Sequence, residues 1–370
     1  MGGTLGGRLS GLLELPDRIA ALAGPARARA DRLLDVRASI GRTSPPPELE
    51  TWLQRAFGSV AAVREQRLVK VTNLATLEAT LFAPLRGRRP VDNGSSHVAL
   101  DQEIAATEED PFCDPEVGTP ADTFGRVHGH HVVTGANAAL ADAHHAVLVF
   151  DRHDPLDVDR ALVADVLATG RSWADRARRD DPGARNYLLI WNCLWRAGGS
   201  IVHGHAQALL GAGPHYARLE RLRRDVASYA ATHRASLLED LVALHRDLDL
   251  AVEHAVDATI LAHVTPLKER EVLVVGPPGT DERSAGFTGA VSHALLAMRD
   301  RLGVRSFNLA LWRPPLAGGD VVQGWDGIGP MVRIVDRGDL ASRASDIGGL
   351  ELYGTPVVGS DPWEVADALR

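Results

Sequence analysis

The stretch Gly198-Gly199-Ser200-Ile201-Val202-His203-Gly204-His205-Ala206-Gln207 carries polar side chains at alternate positions directly after a pair of glycines. Extended backbone sends successive side chains to opposite faces. A strand here sets His203, His205 and Gln207 on one face and Val202, Gly204, Ala206 and Ala208 on the other. Two imidazoles and an amide are costly to bury without partners, and small residues behind them permit close packing. The spacing therefore predicts a strand with a reactive polar face; the bland alternative is a half-exposed strand that happens to hold histidines. Gly198, Gly199 and Ser200 add a turn whose backbone N–H groups can approach an anion closely.

A chain of 370 residues exceeds one small core, so two domains or a duplicated unit is expected. The formal charge of −8 argues against a general nucleic-acid binder, which needs a basic face, but leaves room for a small phosphorylated substrate. Two cysteines, Cys113 and Cys193, cannot build a disulfide framework and fit a reducing cytoplasm. No stretch has the length of a membrane span. Asp17 and Arg18 interrupt the apolar residues between Leu9 and Leu15, against a signal peptide.

Residues 1–66 read as a helical extension. Leu12, Leu13, Ile19, Leu22, Leu33 and Leu34 suggest an amphipathic hairpin, and Pro45-Pro46-Pro47 starts a helix with Leu49, Trp52, Leu53, Ala56 and Phe57 on one face. Residues 67–213 form a first unit. In it Leu81–Phe82 ends a strand that runs into Arg86, Arg88 and Arg89, and guanidinium forks suit phosphate oxygens. Strands are expected at Val132–Val133, in the apolar run His145–Phe150 and at Tyr187–Trp191, with a helix over residues 158–179. Residues 214–249 read as a charged helical connector. Residues 250–370 repeat the strand–strand–helix–strand–loop–strand order at an offset of about 120–126 residues without a His-x-His, as an internal duplication would.

The His-x-His-x-Gln segment after a Gly-rich turn, with Asn192 eleven residues before His203, resembles the galactose-1-phosphate uridylyltransferase branch of the histidine-triad superfamily. Sugar-nucleotide and diadenosine tetraphosphate phosphorylases belong to the same branch. The resemblance covers roughly residues 68–370. It implies an α+β fold of duplicated histidine-triad-like units with antiparallel sheets, commonly a cytoplasmic homodimer. It implies His205 as the nucleophile, and Arg86, Arg89, Asn192, Gly198, Gly199, Ser200 and Gln207 around the phosphates. Glu351, in Gly349-Leu350-Glu351, falls where the family has Gly-Tyr-Glu, whose Glu contacts the sugar. Asp110, Cys113, His153 and His203 match a structural zinc site whose first ligand is usually Cys; with Asp110 there, both a carboxylate-containing site and loss of the metal are open. Gly135 and Ala136 stand where the transferases hold the nucleoside with an Asn-Asp pair.

These residues point to transfer of a nucleoside monophosphate between sugar phosphates, with nucleotide sugars as substrates. A neutral imidazole is a good nucleophile near neutral pH, attack at phosphorus gives a covalent nucleotidyl-histidine, and fixed donors meet the developing charge. Two rivals stand beside this: a phosphorylase or hydrolase, with phosphate or water as acceptor, and a silent nucleotide-binding protein.

Overall fold

The computed structural model describes residues 10–88, 100–316, 324–342 and 344–370. Thirteen strands are found among them: β1 (Leu34–Arg42), β2 (Glu65–Asn73), β3 (Ala79–Phe82), β4 (Val132–Ala136), β5 (His144–Phe150), β6 (Ala184–Cys193), β7 (His205–Ala212), β8 (Ala251–Ala255), β9 (Ala258–Ala262), β10 (Val272–Val275), β11 (Phe307–Trp312), β12 (Met331–Asp336) and β13 (Val357–Val358). They form a small sheet, β1-β2-β3-β13, and a large one, β4-β5-β7-β6-β11-β12-β10-β9-β8. The fold is α+β, with antiparallel pairing except between β3 and β13.

Eight of the nine strands of the large sheet are two copies of one four-stranded unit joined edge to edge through β6 and β11, and β8 is added beyond β9. The registers show this residue by residue. Gly135 faces Val147 and Val147 faces Gln207; 126 residues on, Leu261 faces Leu273 and Leu273 faces Arg333. Gln207 pairs with Ile190 and Arg333 with Ala310, a shift of 120 for the strands at the seam. The helices Arg160–Asp180 and Ala285–Asp300 pack on the same side of their own halves and against each other.

That side is the main core. The run Ala146–Phe150 is fully buried, as a central strand requires, and its inward residues Leu148 and Phe150 meet Leu162, Val166 and Trp173 of the first helix. Asp159 and Ser284 cap the two helices by accepting from Leu162 and Phe287 backbone N–H groups. The opposite side of the first half has its own small apolar patch, Phe112, Val147 and Val149 with Val133 and Ile201, and this is the side that carries the polar residues.

The N-terminal stretch is helical as expected, with an addition. Leu34 does not extend the helix Gly24–Leu33 but opens β1, which pairs along its whole length with β2. No helix among the described residues is long and apolar enough to cross a membrane.

Candidate active site and metal centre

The glycine turn is required by sterics. After β6, Leu194 and Gly198 both take positive φ, 65° and 89°. A Cβ on Gly199 would lie 2.8 Å from the Asn192 carbonyl oxygen and 3.0 Å from that of Leu194. β7 begins only at His205, so His203 lies in the bend before it rather than on the strand. Gly204 between them fits because a Cβ there would strike the Phe150 ring at 2.7 Å. The two imidazoles nevertheless share a face, both edge-on to Phe112, at 6.4 Å for His203 and 5.0 Å for His205.

His205 is only 6% exposed. Its Nδ1 donates to the carbonyl oxygen of His203 at 2.8 Å. A carbonyl only accepts, so the proton sits on Nδ1 and Nε2 keeps its lone pair. Nε2 has no hydrogen-bond partner among the described residues. Burial disfavours the imidazolium and pulls the pKa below its ordinary value, with the neighbouring His203 acting in the same sense. The ring is held neutral, in one tautomer, with its nucleophilic nitrogen unused.

Gln207, two residues on, is oriented by residues that the sequence reading did not single out. The Ala141 N–H donates to His145 Nδ1 at 3.1 Å, so His145 carries its proton on Nε2 and donates to Gln207 Oε1 at 3.0 Å. Asn137 lies 3.3 Å from the same Nε2. With its oxygen taken, Gln207 has its NH2 to offer. The signal was the diagonal pairing of β5 with β7, hidden because His145 opens an apolar run.

Asn192 is set in the same way from the other half. Its Oδ1 accepts from Asn308 Nδ2 at 2.7 Å; that nitrogen also donates to Ala197 O at 2.8 Å, and Asn308 Oδ1 accepts from Arg337. Asp346 holds the Arg337 guanidinium by two bonds, 2.6 and 2.8 Å.

Beside His205 three donor groups converge, Cys113, His153 and His203, with the Asp110 carboxylate next to two of them. His153 Nδ1 and His203 Nδ1 are 3.2 Å apart, and Cys113 Sγ is 3.5 Å from each. Asp110 Oδ1 is 3.8 Å from Cys113 Sγ and 3.8 Å from His203 Nδ1. Zinc bonds of about 2.0–2.1 Å to nitrogen and 2.3 Å to sulfur give tetrahedral edges of roughly 3.3–3.6 Å, close to these spacings. The tautomers agree. His203 Nε2 donates to Phe150 O at 2.9 Å and His153 Nε2 to Ile104 O at 3.0 Å. Both Nδ1 atoms therefore present lone pairs to one another, which is repulsive unless a cation lies between them. The donor set fits a zinc ion.

The remaining sequence expectations fall as follows. Ser200 is exposed at the turn. Arg86 begins a short 3₁₀ turn and is exposed; burial pushes the Glu351 carboxyl up, but backbone N–H groups, that of Gly348 first, and then the charges of Lys268 and Arg86 hold it below its usual range. Glu351 accepts from the Gly348 N–H at 2.9 Å and lines a cavity over the second half, with no contact to the histidine loop among its bonds. Arg89 lies outside the described residues.

No family model matches the chain, and no curated protein does. Solved structures do match in fold. An ADP-glucose phosphorylase from Arabidopsis thaliana, in a structure with bound ADP-glucose, is similar over 81% of this chain and 97% of its own, at 16% identity and a TM-score of 0.62. A galt-like protein from Arabidopsis thaliana is similar over 71% and 92%, at 16% identity and a TM-score of 0.57. A uridylyltransferase is similar over 68% and 87%, at 16% identity and a TM-score of 0.55. The chain shares the duplicated fold of these proteins.

Proposed function

We propose that the protein transfers a nucleoside monophosphate from a nucleotide sugar to a phosphate acceptor through a covalent intermediate on His205. The observation that carries this reading is the imidazole held neutral by burial, with Nδ1 fixed on the His203 carbonyl and Nε2 unengaged. Nε2 attacks the α-phosphorus, a P–N bond forms, and the bond to the bridging oxygen breaks with its electron pair leaving on the sugar 1-phosphate. The imidazole becomes cationic, and the His203 carbonyl accepting from Nδ1 stabilises that charge. A phosphate oxygen of the acceptor then attacks, the P–N bond breaks and the neutral ring returns.

Gln207, Asn192 and the amides of the Gly198–Ser200 turn supply donors to the phosphoryl oxygens, and by the family resemblance Arg86 and Arg89 add positive charge. Asp110, Cys113, His153 and His203 would hold a zinc ion that braces the loop before His205; its chemistry is structural, and each step above belongs to the protein's own side chains. The neighbours in fold include a phosphorylase and a uridylyltransferase by name. Gly135 and Ala136, without polar side chains to grip a nucleoside, keep the phosphorylase reading alongside the transferase one. Turnover of UDP- and ADP-sugars with hexose 1-phosphate, with inorganic phosphate and with neither tests both. Activity with at least one acceptor and parallel double-reciprocal lines are expected; intersecting lines with no trapped adduct contradict the mechanism.

A further inference from the structure

Asn192 and Asn308 face each other where β6 meets β11, so the row that holds the nucleophile continues into the other half. Between β6 and β7, Ile190 faces Gln207; carried on by two residues, this register sets Asn192 opposite His205. Directly opposed residues share a face. His205, Asn192 and Asn308 thus stand side by side on three neighbouring strands.

The repeat does not account for this pair of amides. The seam strands are related by a shift of 120, so the mate of Asn192 is Trp312 and the mate of Asn308 is Leu188. At the equivalent crossing of the seam, two apolar side chains take the place of the two amides.

Each amide is turned one way by its neighbours. Arg337 has only donors, so the atom of Asn308 that it meets is Oδ1; the Ala197 carbonyl only accepts, so the atom that it meets is Nδ2. Both constraints give Asn308 the same orientation. Its Nδ2 then donates to Asn192 Oδ1 at 2.7 Å. This leaves Asn192 Nδ2 turned away from Asn308, with no bond among the described residues. Arg337 is in turn gripped by Asp346, which lies 3.6 Å from Lys268 Nζ.

The turn after β6 is tied to the same half. Leu194, 1% exposed, has φ 65° and ψ 173°. That region is almost reserved for glycine, and another residue stays there only where its surroundings over-determine it. The carbonyls of Cys193 before it and Ala197 after it accept from Ser306 Oγ and Asn308 Nδ2, both at 2.8 Å.

We propose that Asn308 and Arg337, in the half without the His-x-His, are positioning residues for the reaction at His205. They fix the flip of the Asn192 amide, so that Nδ2 and not Oδ1 meets the phosphoryl oxygens. Without either residue the amide turns, and its oxygen, set against an anion, repels what its nitrogen would bind. This inference rests on the transfer reading above.

The test is rapid-quench measurement of adduct formation on His205, read by intact-protein mass spectrometry, with UDP-glucose and with ADP-glucose and no acceptor. It compares wild type, N308L, R337M, R337K, N192A and N192A/N308L. Leucine already stands at the mate position, 188, and suits a strand; R337M tests the same relay from outside the seam. N308L and R337M should each form the adduct about tenfold or more slowly than wild type. R337K, which keeps a donor for Asn308 Oδ1, should recover most of the rate. In the N192A background, N308L should change the rate by less than about twofold, whereas a residue that only supports the fold would slow N192A as much as it slows wild type. Wild-type rates in N308L and R337M, or an equal further loss on N192A, overturn the proposal while the transfer reading stands. No adduct in wild type overturns that reading, and this inference with it.

Discussion

The two halves of the large sheet share strand order, register and helix packing, yet the first carries a cluster of histidines beside a glycine turn and the second is braced by a buried histidine of the connecting helix. In the first half, His205 keeps a free Nε2, and His153 and His203 aim lone pairs at a common point. Against the second half, on the connecting helix Leu237–Asp247, His245 donates from Nδ1 to Leu241 O at 2.7 Å and accepts at Nε2 from Val264 N–H at 3.2 Å, so both its nitrogens serve the fold. The frame does not set the chemistry; the residue types hung on it do, since the position of His205 is Met331 in the second half.

The sharpest way to break this contrast is at the nucleophile. His205→Ala should lower kcat by about a thousandfold or more with an unchanged circular dichroism spectrum. Adding Met331→His to that variant should restore nothing, because 126 residues on from Cys113, His153 and His203 the second half has Glu239, Gly279 and Gly329 and so no such donor cluster. Recovery of turnover would mean the halves are chemically equivalent.

The next effect in size concerns the cluster of Cys113, His153 and His203 with Asp110 beside it. Cys113→Ala should abolish stoichiometric zinc, read by elemental analysis, and lower stability by a few kcal/mol, since binding at a structural site counts as folding free energy. Asp110→Cys should keep the metal. Equal zinc content in wild type and Cys113→Ala would remove the metal centre from the account.

The third concerns the buried histidines. Burial holds His245 down to about 3 and His215 down to about 4, from an ordinary 6.5. Protons bind the unfolded chain more readily, so this stability is fully present above pH 6.5 and is lost as pH falls toward 4. At pH 5 each histidine should have withdrawn about 2 kcal/mol. Urea midpoints measured from pH 7 to pH 5 should fall accordingly, and a flat profile would contradict the assignment of both rings as buried and neutral.

The smallest effect is at the positioning residue. His145→Phe should cost about tenfold in kcat/KM by freeing the Gln207 amide to turn, and should add little on top of Gln207→Ala. Full additivity of the two would show that His145 does not act through Gln207.

Much of this was legible beforehand where the signal is local. The His-x-His-x-Gln alternation, the glycine turn, the apolar run of β5 and the repeat at 120–126 residues each lie within one segment or follow from spacing, and each maps onto a defined part of the sheet. What depends on register was not legible. His145 and Asn137 meet Gln207 only through cross-strand pairing, and Asn192 meets Asn308 only at the seam between halves. β1 was missed because Leu33 and Leu34 continue a helical pattern, while the partner that makes 34–42 a strand lies in β2. Glu351 matched by a short motif, and its place over the second half could not be seen from three residues.

The most direct test of the central claim is intact-protein mass spectrometry after brief incubation with a pool of nucleotide sugars and no acceptor. The account predicts one added nucleoside monophosphate per chain, labile to acid, released by an acceptor phosphate, mapped to His205 and absent from His205→Ala. An unmodified mass in a preparation that turns over, or an adduct that persists in His205→Ala, would contradict it.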